Sequence, residues 1–316
     1  TIALMDTGGR LLTSVNHEFQ QLFPQPGWVE HDPEDIWQSV LQGLTAVFAS
    51  RQYDASDVLA IGITNQRETA VLWDALTGQA VHNAVVWQCR RTTDVCERLK
   101  TAGHEALIKA RSGLVLDPYF SATKFRWLLD HSPSAENLLA EGRLRAGTID
   151  TYLMWRLSNG KTHKTDVSNA SRTSLMALET LDWDDDLLSI FGVPRAILPE
   201  ICPLSGRFTV TEAVPGLPDG VPVSGVAGDQ QSALFGQACF QPGDAKCTFG
   251  TGSFILMNAG DTPVGSDHGL LSTVAWHVER ETATSAPEGS PSVCGSPVTG
   301  QRQPPSPNET AVAMHT

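Results

Sequence analysis

Residues 225–237 read GVAGDQQSALFGQ. One carboxylate, Asp229, stands with two amides, Gln230 and Gln231, between an apolar run and a helix-like run. Ligand sites in α/β sheets lie at the carboxyl ends of strands. A carboxylate at such a junction is therefore a candidate to hold a hydroxyl or to take its proton. Four further stretches carry candidate groups. GITNQRETAVLW sets Arg67 and Glu68 just past a buried-type strand; a donor beside an acceptor suits a hydroxyl-rich ligand, and it also suits a surface ion pair. NAVVWQCRRT ends an apolar run on Trp87, a pocket wall or a core residue. GLVLDPYFSATK puts Tyr119 at a loop–helix junction, where its hydroxyl can meet a ligand or its ring can pack. AKCTFGTGSFILMN reads as a hairpin with GTG at its turn. Gly250 there leaves backbone N–H groups open to an anion and Thr251 adds a hydroxyl donor, although a plain hairpin accounts for the same letters.

These groups need strands that stop and helices that start beside them. TIALMD and RLLTSV flank TGG, a hairpin signal. Asp32 and Pro33 open a helix with acids in its first turn. VLAIGIT reads as a buried strand ending at NQRE, and TAVLWDALTGQAVHNAVVW as a second hairpin turning at LTG. Helical stretches follow around 92–102, 105–111 and 121–131, then TYLMWRLSNG, stopped by Asn159-Gly160, and DWDDDLLSIFGV, ending at Gly192. Strands, hairpins and interleaved helices together mean an α/β fold with a mixed sheet.

A chain of 316 residues with 41% hydrophobic content can bury a real core in one large or two ordinary domains. Its net charge of −13 argues against nucleic acid or an anionic membrane surface as partner, since both need a basic face. No apolar run approaches the ~20 residues that span a bilayer, and the first residues do not read as a signal peptide. The six cysteines include no CxxC and read as reduced thiols of a cytoplasmic protein. The nine histidines form no zinc-type spacing, so no zinc is expected. Residues 278–316 contain no Leu, Ile, Phe, Trp or Tyr but hold six of the nineteen prolines, a composition that reads as a disordered tail.

The stretches FPQPGWVEHDPEDIW, GITNQRET, NAVVWQCRRT, GLVLDPYFSATK, TDVSNASRT, LDWDDDLL, GDQQSALFGQ and TFGTGSF occur in this order. Together they resemble the glycerol kinases, among the sugar and polyol kinases of the actin-like ATPase superfamily. The resemblance runs from residue 1 to about 277. It implies a mixed-sheet, ribonuclease H-like/actin-like ATPase domain over 1–236 and only the start of a second such domain over 237–277. It also implies ATP-dependent phosphorylation of glycerol to glycerol 3-phosphate, releasing ADP, with Mg2+. Arg67, Glu68, Tyr119, Asp229 and Gln230 match the family's glycerol-contacting polar residues, and Trp87 and Phe254 its apolar walls. Asp229 matches the base that receives the hydroxyl proton. Gly250 and Thr251 match the hairpin that contacts the nucleotide phosphates. No residue is carried over as a metal ligand.

Three departures qualify the resemblance. Relatives open with a D-x-G-T-T-S-S-R phosphate turn, and residue 1 falls where its closing Arg stands. The adenosine half of the family lies beyond the point, near 277, where the match stops. The stretch AVPGLPDGVPVSG lacks the Arg of the loop by which some bacterial members bind fructose bisphosphate, so that regulation is not carried over. The expectations are poor turnover by this chain alone, and an unpaired first sheet edge that invites association of copies. A polyol-binding remnant without catalysis and a kinase for a related polyol or sugar are the alternatives. ATP turnover separates the first from a kinase, and a panel of polyols separates the second.

Overall fold

The computed structural model describes residues 1–49, 51–249, 253–266 and 268–277, and the backbone of 310–315. The elements that matter for the site are, in chain order, β1 (Ile2–Asp6), β2 (Leu11–Val15), α1 (Pro33–Ala49), β3 (Val58–Asn65), α2 (Ser121–His131), α3 (Ile149–Leu157), α4 (Val167–Ala170), β4 (Ser205–Val210), β5 (Pro222–Gly228), α5 (Asp229–Gly236), β6 (Ala245–Phe249), β7 (Ser253–Met257) and β8 (Thr310–His315).

Six strands form the main sheet in the order β4-β5-β3-β8-β1-β2. β5 runs parallel to β3 with Gly228 opposite Asn65, so the two strands end side by side. β8 runs parallel to β3 and antiparallel to β1. α1 and α3 supply a core of Ile36, Val40, Leu44, Ile149, Leu153 and Leu157 against Ile2, Leu4, Ile61, Ile63, Val223 and Val226 of the sheet. A second cluster gathers Leu72, Val85, Phe125, Leu128, Ala146, Leu187 and Phe191.

The first hairpin and α1 form as expected, as do the helices at Thr93–Thr101, Glu105–Ser112 and Ser121–His131. The helix at Asp185–Phe191 is capped by Asp184 and stopped by Gly192 in the left-handed region. Three expectations are corrected. The Val71–Asp74 strand pairs chiefly with Leu144–Gly147, and the hairpin partner keeps only single bridges, Ala70 to Val85 and Trp73 to Ala80. All four residues of that strand are buried, and burial of both faces calls for cover that one hairpin arm cannot give. Next, β1 does not present an open edge, because β8 lies between it and β3. Last, the expected disordered tail holds a strand at its end. Its six prolines all precede residue 308, so the composition of the whole segment hides a proline-free stretch at 310–315, whose backbone is hydrogen-bonded on both sides. The rest of that expectation, 278–309, lies outside the described residues.

Candidate active site

β3 and β5 stop together, and the chain leaves each with a functional side chain. After β3 comes a tight turn in which Thr69 N donates to Arg67 O at 2.8 Å and Glu68 adopts φ +61°. A non-glycine residue in the left-handed region costs about 1–3 kcal/mol unless its surroundings hold it there. Here they do. Ser121 Oγ donates to Glu68 O at 3.1 Å, and Arg172 Nε donates to Glu68 Oε1 at 2.7 Å. After β5, Asp229 opens α5, where the helix dipole favours a carboxylate.

The two exits meet through Arg67, which is almost fully buried. Its Nε lies 3.2 Å from Asp229 Oδ1 and 3.8 Å from Glu68 Oε1. Nη1 donates to Gln231 Oε1 at 3.1 Å and Nη2 to Tyr119 OH at 3.4 Å. The contact with Asp229 is a charge contact without hydrogen-bond geometry, so the buried Nε–H has no acceptor. An unspent buried donor is costly and suits a ligand oxygen. The Tyr119 hydroxyl accepts from Arg67 and keeps its own proton to give. Burial, then the charge of Glu68, pushes its pKa up to about 12.

The two carboxylates differ in access. Glu68 is 1% exposed and bonded to Arg172, whereas the Asp229 side chain is 30% exposed. Asp229 Oδ1 accepts from Gln230 N at 2.7 Å and Oδ2 from Gln230 Nε2 at 3.3 Å. Trp87 stands edge-on to Tyr119 at 5.7 Å and to Phe254 at 6.4 Å, a partly exposed aromatic wall. Arg67, Glu68, Trp87, Tyr119, Asp229, Gln230 and Phe254 are thus joined in one contact network; Gly250 and Thr251 lie outside the described residues. Two surface hollows, one at Ser158, Lys161 and Arg207 and one along Phe23–Val29, share no residue with this set.

Behind the site is a buried polar layer. Asn65 and Asn169 exchange amide hydrogen bonds at 3.0 Å. Asn169 Nδ2 donates to Asp166 Oδ1 at 2.7 Å, and Asp150 accepts from Thr148 and Thr165. Burial, then the charge of Asp150, pushes the Asp166 carboxyl up to about 7; burial raises that of Asp150 too. From α4, Ser168 Oγ accepts from Gly228 N at 2.9 Å, so this layer fixes the residue before Asp229.

Several of these residues carried no role in the sequence. Gln231 was visible only as the second amide beside Asp229. Arg172 lies in the quoted TDVSNASRT, and Lys124, a fully buried lysine of α2 whose Nζ donates to Glu68 O at 3.3 Å, in GLVLDPYFSATK, where a lysine among apolar helix residues was the available signal. Lys246, also buried, donates to Gln230 Oε1 and, at 2.7 Å, to Thr248 Oγ1. Among the described residues no group of three or more His, Cys, Asp or Glu could hold a metal ion.

The site is a polar cluster at two adjacent strand ends, walled by aromatics, on a mixed sheet with helices packed against it. The chain belongs to the FGGY family of carbohydrate kinases, whose N-terminal domain matches residues 1–236. It is 54% identical over 295 residues to a glycerol kinase of Bdellovibrio bacteriovorus, covering 93% of this chain and 60% of that one. It is 50% identical over 291 residues to glycerol kinase 1 of Pseudomonas aeruginosa, covering 92% and 58%. The chain therefore spans little more than half the length of these relatives. The crystal structure of Plasmodium falciparum glycerol kinase with ADP superposes with a TM-score of 0.81 at 35% identity, over 86% of this chain and 55% of that one. A xylulose kinase from Rhodospirillum rubrum, at 22% identity and a TM-score of 0.69 over 80% and 52%, shares the fold.

Proposed function

We propose that this chain carries the glycerol-binding half of an ATP-dependent glycerol kinase, with residues 1–236 as its first domain and 237–277 as the start of a second. The convergence of Arg67, Glu68, Tyr119, Asp229 and Gln230 beside the Trp87–Phe254 wall carries the reading. A three-carbon triol needs about one donor–acceptor pair per hydroxyl, because an unmatched buried polar group costs roughly 1–3 kcal/mol. Arg67 Nε–H and the Tyr119 proton supply donors, and the carboxylates and Gln230 supply acceptors. The aromatic edges cover the carbon chain. Asp229 takes the proton of the hydroxyl that is phosphorylated.

Mg-ATP, when bound, supplies the phosphoryl group and neutralises its charge. Lys246 and Thr248 fit a phosphate: a buried ammonium hydrogen-bonded to an amide oxygen and a hydroxyl, on the strand that ends at Phe249, next to Gly250 and Thr251 in the sequence. With Gly250 and Thr251, they would hold it. The hairpin leaves Phe249, Ile255 and Met257 at least 60% exposed, an apolar face suited to the continuation of a second domain. The reading places the reaction in the cytoplasm, in keeping with five described cysteines that are all free.

Calorimetric titration with glycerol, erythritol, xylitol and xylulose tests it. Glycerol is expected to bind and the longer polyols to bind more weakly. Saturation by a pentitol with no response to glycerol would overturn the substrate, and no response to any would overturn the pocket.

A further inference from the structure

Lys124 is fully buried, and it occupies the first turn of α2. A cation is disfavoured there twice, by the positive end of the helix dipole and by the loss of water. Its Nζ donates to three backbone carbonyls: Tyr119 O, Phe120 O at 3.3 Å and Glu68 O at 3.3 Å. Tyr119 and Phe120 belong to the turn that carries one donor of the site. Glu68 belongs to the strained turn that carries the acceptor and Arg67.

We propose that Lys124 is a positioning residue for the polyol site, its ammonium tying the Arg67–Glu68 turn to the Tyr119 turn and so setting the spacing of the groups that meet the ligand. The inference rests on the glycerol-site reading for its binding readout alone. The chemistry of the clamp makes it sensitive to protonation. An ammonium has three N–H donors for three carbonyls, whereas a neutral amine has two donors and a lone pair that must face a carbonyl oxygen. Burial lowers the pKa of Lys124 to about 7, against the opposing charges of Glu68, Cys89, Asp117 and Cys96. The clamp is therefore complete below neutrality and loses one bond above it.

Two readouts test this on the full chain. Glycerol affinity is followed from pH 6 to 8.5 by calorimetry. The environment of Tyr119 is followed by NMR of 13C-labelled tyrosine, since the chain has three tyrosines and the Tyr119→Phe variant assigns the signal. The wild type is expected to lose about tenfold in affinity as pH rises, the effect of one charge-assisted hydrogen bond, with the Tyr119 signal moving over the same range. Lys124→Met should bind weakly at both pH values and show no such titration. If circular dichroism shows that variant unfolded, Lys124→Gln, with an amide in place of the ammonium, is read the same way. Asp166 also titrates near 7, so Asp166→Asn should keep the Tyr119 titration. A pH-flat Tyr119 signal in the wild type would overturn the proposal. So would a titration that survives in the Lys124 variant, or wild-type affinity in that variant. Absence of glycerol binding at every pH would sink the substrate reading, and the Tyr119 signal would still decide the role of Lys124.

Discussion

Gly228 is the point where β5 becomes α5, and its lack of a side chain is what lets Arg67 reach Asp229. A Cβ at this position would lie 2.6 Å from both Cγ and Cδ of Arg67, about 1 Å inside ordinary contact. The backbone itself raises no objection to alanine, since φ −58° and ψ 147° are open to any residue. The cost of Gly228→Ala is thus a packing cost, and forcing a methyl into a filled site typically costs about 1–3 kcal/mol. Arg67 has little room to yield, being almost wholly buried and tied to Gln231 and Tyr119. A smaller loss, up to about 1 kcal/mol, comes from replacing glycine at a helix N-cap with alanine. A double-mutant cycle with Arg67→Ala separates the two, because the capping loss is common to both backgrounds. Urea denaturation of the four proteins should give a coupling of about 1–3 kcal/mol, with Gly228→Ala costing only the capping loss once Arg67 is shortened. Equal costs in both backgrounds, within about 0.5 kcal/mol, would refute the argument that this glycine exists to admit the arginine.

The carboxylates should part company under substitution. Asp229→Asn is expected to fold with near-wild-type stability and to abolish phosphoryl transfer in a chain extended to the length of its relatives, whereas Glu68→Gln should lose about 3 kcal/mol or more, because it leaves buried Arg172 unpaired; urea melts and an ADP-release assay read the two effects. Trp87→Ala and Arg67→Ala should both weaken glycerol titration, the first by removing an apolar wall and the second by removing a donor, and unchanged affinity in both would remove the pocket. Asp166 holds its proton up to about pH 7 when folded, against an ordinary aspartate value of 3.8, so between these values the folded state binds the extra proton and stability falls as pH rises. Lys124 has the reverse effect from about 7 to 10.5, where the unfolded state holds the proton; denaturation at pH 4.5 and 7 should show the first slope, and Asp166→Asn should flatten it. Deleting residues 310–316 uncovers both β1 and β3, so sedimentation should show more association than for the full chain.

What could be read from the sequence was local. The β5–α5 junction is legible because an apolar run, two glycines and a helical run follow one another within a few residues, and Arg67 is legible because NQRE follows a continuous apolar strand. The pairing of Val71–Asp74 with Leu144–Gly147 spans some seventy residues, and the Asn65–Asn169 amide pair spans 104. Nothing in either stretch alone names its partner. Lys124 and Arg172 were hidden for a related reason. Charged residues are usually solvated, and only the assembled turns reveal carbonyls and a carboxylate waiting for them inside. β8 was missed because composition was averaged over a segment whose prolines all lie before its final residues.

The supporting residues also set the two carboxylates beside Arg67 apart. A proton acceptor must be reached by the hydroxyl it serves. Glu68 is 1% exposed, its Oε1 is held by Arg172, and its carbonyl is fastened by Ser121 and Lys124. It is held too firmly to follow a reacting group and is best suited to fixing Arg67 and an incoming hydroxyl in place. Asp229 is 30% exposed, and its Oδ2 has one long bond, 3.3 Å, from Gln230 Nε2. Gln230 in turn is oriented by Lys246 on the neighbouring strand, so the same hydrogen-bond chain runs from the candidate phosphate-holding hairpin to the oxygen that would receive the proton. Phosphoryl transfer depends on positioning more than on covalent chemistry. On the proposed reading, a rigid pair at Arg67–Glu68 would set the acceptor, and one reachable carboxylate linked to the candidate phosphate-holding hairpin would complete that positioning from two adjacent strand ends.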